Sequence, residues 1–192
     1  MTARLVLLGP PGAGKGTQAS RLSDRLGVPA ISTGDIFRAN VADATELGRR
    51  AQRYMDAGEY VPDEVTNAMV RARLAEPDTE QGFLLDGYPR TAEQVRELDA
   101  MLDEQGRRLD AVVEITAAAD VVIARLLGRA REQGRADDTD VVIRRRLEVY
   151  REQTEPLTSL YAERDLLVQV DGIGEVDEVT ERIVGALQPL LV

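Results

Sequence analysis

The chain has 192 residues, 34 acidic against 24 basic side chains, a net charge of −10, and neither cysteine nor histidine. This length suits one domain that buries roughly 70% of its unfolded surface, and the two missing residue types exclude disulfides, zinc sites, imidazole general bases and serine-type triads. The acidic balance argues against a sequence-independent nucleic-acid binder, which needs a basic face, so we expect a small-molecule partner.

The first predicted element is a strand that leads into a glycine-rich loop. Positions 4–8 are Arg-Leu-Val-Leu-Leu, and positions 9–17 are Gly-Pro-Pro-Gly-Ala-Gly-Lys-Gly-Thr. The next residues carry apolar side chains at helical spacing. A glycine-rich turn between a strand and a helix presents backbone N–H groups to anionic oxygens, and the spacing Gly-x4-Gly-Lys is that of a phosphate-binding loop. The predicted ligand is a nucleoside triphosphate.

Lys15 is the only lysine, and the other 23 basic side chains are arginines. A compact ammonium on a flexible stem can reach between the loop and the β- and γ-phosphates, where a planar guanidinium would be too wide. The common pattern has Ser or Thr after the lysine, but this chain has Gly16 there and its hydroxyl at Thr17. Whether the loop itself anchors magnesium is therefore left open.

The segment after the first helix alternates short elements. Residues 28–31 predict a second strand, and Ser32 or Thr33 can cap a helix that begins near Asp35. A further helix is predicted over Glu46–Ala57, with a turn at 58–61. Pro62, followed by two acidic residues, is typical of the next helix start.

Residues 82–86 form a buried-strand pattern that ends in Asp86. In phosphate-loop proteins an acid at such a strand end orders magnesium, usually through water. Arg90 follows at the same edge of the predicted sheet, where open α/β folds bind ligands. A helix over about 91–105 and a strand over 111–115 come next.

The stretch 119–151 is rich in arginine, and about half of these side chains are expected on solvated helix faces. Residues 128–135 contain two glycines and predict a short cationic loop that could close over phosphates. A strand over 166–170, a turn over 171–174 and an amphipathic helix over 176–187 follow. The alternation of strands and helices predicts an α/β fold with a parallel sheet of about five strands covered on both faces.

Five motifs occur in a family's order: the loop at 9–17, Ser-Thr-Gly-Asp-Ile-Phe-Arg at 32–38, Asp-Gly-Tyr-Pro-Arg at 86–90 with Gln94, Gly-Arg-Ala-Asp-Asp at 134–138, and Val-Asp-Gly at 170–172. Over essentially its whole length the chain resembles the bacterial-type adenylate kinases of the nucleoside monophosphate kinase family. The Gly-Lys-Gly-Thr loop is usual there. The resemblance implies a three-layer fold and reversible phosphoryl transfer from MgATP to AMP, giving two ADP.

The resemblance also implies a domain organisation and bears on the metal content and the location of the protein. One kinase domain would span 1–192, with a core of 1–31, 62–127 and 137–192, a nucleotide-binding insertion at 32–61 and a short lid at 128–136. The lid lacks the metal ligands that some relatives carry and cannot hold zinc. We expect a cytoplasmic protein, since the apolar run of five residues near the start is shorter than the roughly seven that a signal peptide needs. We also expect a monomer that binds ATP, AMP and ADP and that binds neither nucleic acid nor a membrane.

The resemblance implies a set of site residues. ATP would contact Gly12, Ala13, Gly14, Lys15, Gly16, Thr17, Arg125, Arg129, Gly172 and Gly174. AMP would contact Thr33, Arg38, Glu59, Tyr60, Val61, Gly87, Tyr88, Pro89, Arg90, Gln94, Arg135 and Arg146. The catalytic side chains would be Lys15, Arg90, Arg129, Arg135 and Arg146, and Asp86 would hold Mg²⁺ through water. Arg131 competes with Arg129 for the ATP contact, and Gly-Arg at 128–129 matches the family pattern better.

Three alternatives remain. The acceptor could be UMP, CMP or GMP, although Thr33 resembles AMP-specific members where pyrimidine-using relatives tend to have a small apolar residue. The donor could be GTP instead of ATP. A nucleotide-binding switch is the rival of a different class, but the Asn-Lys-x-Asp motif of a GTPase cannot occur here because the sole lysine lies in the loop. The missing histidine suits a kinase whose acceptor is already anionic and needs no general base.

Overall fold

Five parallel strands form the centre of the molecule. The structure is a computed structural model that describes residues 2–133 and 139–190. The strands are β1 (Ala3–Leu8), β2 (Ala30–Ser32), β3 (Gly82–Asp86), β4 (Ala111–Thr116) and β5 (Leu167–Asp171). They form one sheet in the order β2-β3-β1-β4-β5, with every neighbouring pair parallel. The predicted α/β fold with a five-stranded parallel sheet is confirmed.

Helices flank the sheet and connect its strands. They are α1 (Lys15–Leu26), α2 (Thr33–Ala42), α3 (Glu46–Ala57), α4 (Asp63–Leu74), α5 (Ala92–Asp103), α6 (Ala119–Gln133), α7 (Asp140–Val149), α8 (Leu157–Ala162) and α9 (Val176–Leu187). Several begin where the side chain of a Ser or Thr accepts a backbone N–H of the first turn, as Ser32 does for α2, Thr45 for α3 and Thr91 for α5. These caps satisfy N–H groups that have no partner within the helix.

The core is divided between the two faces of the sheet. Alternate residues of β1 point to opposite sides: Leu5 and Leu7 pack with α1 and α9, and Val6 and Leu8 pack with α4, α5 and α8. Because both faces are covered, the inner strands β3, β1 and β4 are mostly apolar on both sides. The sheet therefore forms a rigid base, and its carboxyl edge carries the loops at which ligands bind in folds of this kind.

Two smaller apolar clusters lie outside the main core. Phe37, Ala51 and Val61 join α2, α3 and the following turn. A second cluster joins α6 to α7, and its buried members are Val122, Leu126, Ile143 and Leu147. Each of these helix pairs thus has apolar packing of its own.

A buried polar contact joins α1 to α9. The Gln18 side chain is 3% exposed; its Nε2 donates to the Val176 carbonyl at 3.1 Å, and its Oε1 accepts from the Thr180 hydroxyl at 2.7 Å. Two surface ion pairs lie beside this contact, Arg21 with Asp177 and Arg25 with Glu181. The helix that follows the glycine-rich loop is therefore held against the helix that follows β5.

The main correction to the sequence analysis concerns the predicted loop at 128–135. Residues 128–133 are helical, because α6 continues through Gly128 to Gln133. One glycine costs a helix only about 1 kcal/mol, which neighbouring helix-forming residues and the packing of Leu126 can offset. The remaining predicted lid residues, 134–136, lie outside the described residues. Within residues 2–133 and 139–190, no helix combines the length and the apolar character that a bilayer crossing requires.

Candidate functional site

The glycine-rich loop packs tightly on one side and is open on the other. A Cβ at Gly9 would lie 2.5 Å from the Ile115 carbonyl oxygen, and one at Gly12 would lie 2.8 Å from the Val122 carbonyl oxygen. At Gly14 (φ 97°) a Cβ would meet nothing within 4 Å. Gly14 precedes α1, whose N-terminus has no side-chain cap and no acid in its first turn. Backbone N–H groups at such a helix start suit an anion.

Lys15 folds back over this loop. Its Nζ donates to the Gly9 carbonyl at 2.7 Å and to the Pro10 carbonyl at 3.0 Å. Loss of solvent around the ammonium is the largest cause of a shift that lowers the pKa of Lys15 to about 8; Asp86 opposes the shift and nearby arginines add to it. Bound phosphate would favour the charged form and raise this pKa again.

Asp86 lies beside the loop at the end of β3. It is 9% exposed, and its Oδ2 is 3.7 Å from the position that a Cβ on Gly16 would take. A single carboxylate near a phosphate-binding loop fits Mg²⁺, which keeps several waters and takes its other oxygens from substrate phosphates. In the described part of the chain no three His, Cys, Asp or Glu side chains form a metal-binding group, so Asp86 fits a magnesium ion held mainly by nucleotide and water.

A cleft of about 730 Å³ opens above the loop, a volume in the usual range for a ligand pocket. Arg125 joins its two sides, since Nη1 approaches the Ala13 carbonyl at 3.4 Å and Nη2 donates to the Gly172 carbonyl at 3.0 Å. The Gly172 N–H is itself bonded to the Thr116 carbonyl at 2.8 Å. Each residue predicted to contact ATP lines this cleft: Gly12, Ala13, Gly14, Lys15, Gly16, Thr17, Arg125, Arg129, Gly172 and Gly174.

A second pocket lies between α2, the turn after α3 and the loop after β3. Nine of the residues predicted to contact AMP line it: Thr33, Arg38, Glu59, Tyr60, Val61, Gly87, Arg90, Gln94 and Arg146. Phe37 and Met55 also line it, and the sequence analysis missed both as site residues. Phe37 belongs to the motif at 32–38, so an aromatic residue in that motif was the available signal for an apolar wall.

The floor of the second pocket is organised around Gly87. Its carbonyl accepts from the Thr33 hydroxyl at 3.0 Å and from Nε of Arg90 at 2.7 Å. Gly87 has φ 83°, and a Cβ there would lie 2.7 Å from Oγ1 of Thr33. The Arg90 N–H donates to Oε1 of Gln94 at 2.7 Å, and Nε2 of Gln94 donates to Asp63 at 2.6 Å. The Arg90 side chain is therefore held by the Gly87 carbonyl, and the Gln94 side chain is held between the Arg90 main chain and the Asp63 carboxylate.

Tyr88 and Pro89, two of the three remaining predicted AMP residues, lie outside this pocket. Tyr88 is fully buried and its hydroxyl donates to Oδ1 of Asn67 at 2.9 Å; burial raises its pKa. Pro89 is buried beside it, and neither residue lines the cleft or the second pocket. Arg135 lies outside the described residues. Glu59 lines the pocket but is also paired with Nε of Arg145 at 2.6 Å.

The cleft and the second pocket meet. Six residues line both of them: Pro11, Gly34, Arg38, Gly87, Arg90 and Arg146. Three of the six are arginines, in a chain whose net charge is −10. Guanidinium groups bind phosphate oxygens with two parallel N–H donors. The junction is therefore suited to two phosphate chains that approach each other from the two sides.

Comparison with known proteins gives a consistent result. A family model described as adenylate kinase matches residues 7–166. The chain is 63% identical over 185 residues to an adenylate kinase of Kocuria rhizophila, which covers 96% of this chain and 98% of the relative. It is 64% identical over 184 residues to an adenylate kinase of a Nocardioides species, with 96% of each chain covered. An adenylate kinase of Pseudarthrobacter chlorophenolicus is 59% identical over 185 residues, again with 96% of each chain covered.

Proposed function

This chain belongs to the adenylate kinase family, and we propose that its cleft binds MgATP while its second pocket binds AMP, so that a phosphoryl group passes between them reversibly. The observation that carries this assignment is the junction at which Arg38, Arg90 and Arg146 line both spaces. Phosphates bound on either side would meet there, and the three arginines would neutralise the charge that accumulates between them.

The proposed reaction needs alignment and charge stabilisation more than acid–base chemistry. An AMP phosphate oxygen is the nucleophile and is already ionised, so the absence of histidine from the chain is no obstacle. The N–H groups of residues 12–17 and the Lys15 ammonium would hold the ATP phosphates. Arg125 would fix the loop against the Gly172 turn, and Arg129, which lines the same cleft, would contact ATP. The proposed role of Arg135 rests on the sequence motif alone.

Magnesium is the proposed cofactor, with Asp86 as the side chain that holds it through water. When bound, the ion would neutralise phosphate charge and orient the ATP oxygens. Asp86 itself would keep a carboxylate beside the loop, where it also favours the charged form of Lys15.

We also propose the division of the chain into a core, an insertion at 32–61 and a lid at 128–136. The apolar cluster of α2 with α3 supports the insertion, because helices with packing of their own can move as a unit. The proposed lid rests on the sequence resemblance alone. Closure of the insertion and the lid over the junction would exclude water, which is the competing phosphoryl acceptor. A monomeric, cytoplasmic enzyme is proposed with them, and light scattering together with cell fractionation would test both properties.

The first experiment is a coupled assay of diphosphate production. ATP and GTP are each offered with AMP, UMP, CMP or GMP, and a reaction without acceptor is the control. The expected result is turnover with ATP and AMP that far exceeds every other pair. Preferred use of a pyrimidine monophosphate would contradict the assignment of the second pocket, and acceptor-independent hydrolysis alone would indicate a nucleotide-binding switch.

A matched pair of arginine variants tests the junction. Arg90→Ala should lower kcat by a factor on the order of 10³, as loss of an arginine does in related phosphoryl transfers. Arg96→Ala is the control, because Arg96 is an exposed residue of α5 that pairs with Glu93. Equal activity of the two variants would refute the role given to Arg90.

A further inference from the structure

A π-helical turn over Tyr150–Thr154 follows α7 directly. Its wider hydrogen bond runs from the Glu155 N–H to the Tyr150 carbonyl at 2.9 Å. Single π-helical turns re-aim the residues around them and occur frequently at functional sites. The last residue of this turn, Thr154, is a buried polar residue with 4% exposure. Its two partners, Tyr60 and Arg90, are distant in sequence, and both line the second pocket.

The Thr154 hydroxyl joins Tyr60 to Arg90. Its Oγ1 lies 2.9 Å from the Arg90 carbonyl oxygen and 2.7 Å from the Tyr60 hydroxyl. A carbonyl can only accept, and a hydroxyl has one hydrogen to donate. Thr154 therefore donates to Arg90, and Tyr60 donates to Thr154. Both hydrogen bonds have a defined direction and both depend on one oxygen atom.

These two bonds act on the same guanidinium. The Tyr60 ring lies under Arg90, with Cζ 4.8 Å from the ring centroid, close enough for a cation–π interaction. The Tyr60 hydroxyl bond fixes the orientation of this ring. The carbonyl bond fixes the main chain from which the Arg90 side chain extends. Thr154 thus restrains Arg90 twice, once through its backbone and once through the aromatic surface that its guanidinium covers.

We infer that Thr154 is a positioning residue for the AMP phosphate, acting through Tyr60 and Arg90. Thr154 lines neither the cleft nor the second pocket, so it would not touch a nucleotide. This inference rests on the proposed function, because it assigns Thr154 to the pocket proposed for AMP. The contacts of the ATP side, such as those of Arg125, do not involve Thr154.

Thr154→Val tests the hydroxyl with little change of shape. The substitution leaves the Arg90 carbonyl and the Tyr60 hydroxyl without this partner, and a buried hydrogen bond lost in this way corresponds to roughly a tenfold effect. KM for AMP should rise by about that factor, while KM for ATP should stay unchanged. Thr154→Ser should restore the wild-type value. Thr158→Val is the matched control, because Thr158 bonds only to the local Glu155 carbonyl among the described residues.

A double-mutant cycle separates positioning from general destabilisation. Tyr60→Phe removes the other hydroxyl of the same bond, so Tyr60→Phe combined with Thr154→Val should be no worse than Thr154→Val alone. Equal rises of KM for both nucleotides, failure of serine to restore AMP binding, or additive losses would each overturn the inference. If Thr154→Val does not fold, Thr154→Ser and Tyr60→Phe still decide it, since the first should leave KM for AMP unchanged and the second should raise it.

The Arg90→Ala variant distinguishes the two levels of proposal. If Arg90→Ala leaves AMP saturation and turnover unchanged, the assignment of the AMP site fails, and the Thr154 inference fails with it. If Arg90→Ala impairs them while Thr154→Val behaves as Thr158→Val does, the site assignment stands and the Thr154 inference alone is wrong.

Discussion

Nucleotide binding should take up a proton at mildly alkaline pH, because desolvation lowers the pKa of Lys15 to about 8. With a pKa near 8, the ammonium is about 90% charged at pH 7 and about 10% charged at pH 9. Bound phosphates require the charged form. The apparent affinity for an ATP analogue with a non-transferable γ-phosphate should therefore fall roughly tenfold between pH 7 and pH 9, with about half a proton taken up at pH 8.

Isothermal titration calorimetry can measure this uptake directly. The titration is repeated at each pH in two buffers of different ionisation enthalpy, and the difference in observed heat gives the number of protons exchanged. Lys15→Met is the control, since it removes the titrating group and should abolish the uptake between pH 7.5 and 9. The second ionisation of a phosphate has a pKa of about 6 and contributes little in that range.

Lys15 is not the group that takes up the proton if the wild-type protein takes up none at pH 8 to 9, or if Lys15→Met takes up as many protons as the wild type. The lysine shift also has a sign for stability. Its pKa of about 8 in the folded protein lies below the unfolded value of about 10.5, so between these values the unfolded chain binds more protons and the nucleotide-free protein gains stability as pH rises. Above about pH 10 the opposite is expected, because burial raises the pKa of Tyr88, Tyr150 and Tyr161 and unfolding would release their protons.

Three further predictions concern packing and positioning. Gly48→Ala should lower the free energy of unfolding by about 1–3 kcal/mol, because its Cβ would lie 2.0 Å from the Asn40 carbonyl oxygen. Gly128→Ala in α6 should raise the free energy of unfolding by about 0.5–1 kcal/mol, because a Cβ there meets nothing within 4 Å. Denaturant titration that gives the same sign for both variants would contradict this. Tyr161→Phe should leave Tm unchanged or higher, because its buried hydroxyl has no hydrogen-bond partner among the described residues, and a clear drop in Tm would argue against this. Asp63→Asn should raise KM for AMP severalfold but not KM for ATP, because Asp63 accepts hydrogen bonds from both Gln94 and Thr91. The control is Asp99→Asn, which alters a surface ion pair with Arg164. An equal effect of the two substitutions on KM for AMP would refute the role of Asp63.

The sequence predicted those parts of the site that depend on local backbone geometry. The loop at 9–17 could be recognised because glycine spacing, the preceding apolar strand and the following helix all lie within about twenty residues. The Ser32 cap and the acid at the end of β3 are local signals of the same kind. The parallel direction of the strands also followed from a local rule, since short strands that alternate with helices build a parallel sheet.

The sequence did not predict features that depend on distant partners. Tyr88 lies within a recognisable motif, but its ring belongs to the core cluster formed with α4 and α5, and nothing in the motif shows which way the ring points. Thr154 is one threonine in a helical segment, and its two partners lie 64 and 94 residues away. The prediction of a loop from residue 128 was wrong for another reason, because the residues around Gly128 favour a helix strongly enough to continue α6 through that glycine.

The contact between α1 and α9 imposes an order on assembly during synthesis. The glycine-rich loop and α1 leave the ribosome early, yet Gln18 finds its partners Val176 and Thr180 only after nearly 160 further residues have been added. Arg125 likewise requires the Gly172 turn. A nascent chain can therefore form the β1–β3 pairing well before it has a complete ATP cleft. The cleft is complete only once synthesis has reached α9, because Val176 and Val179 line it.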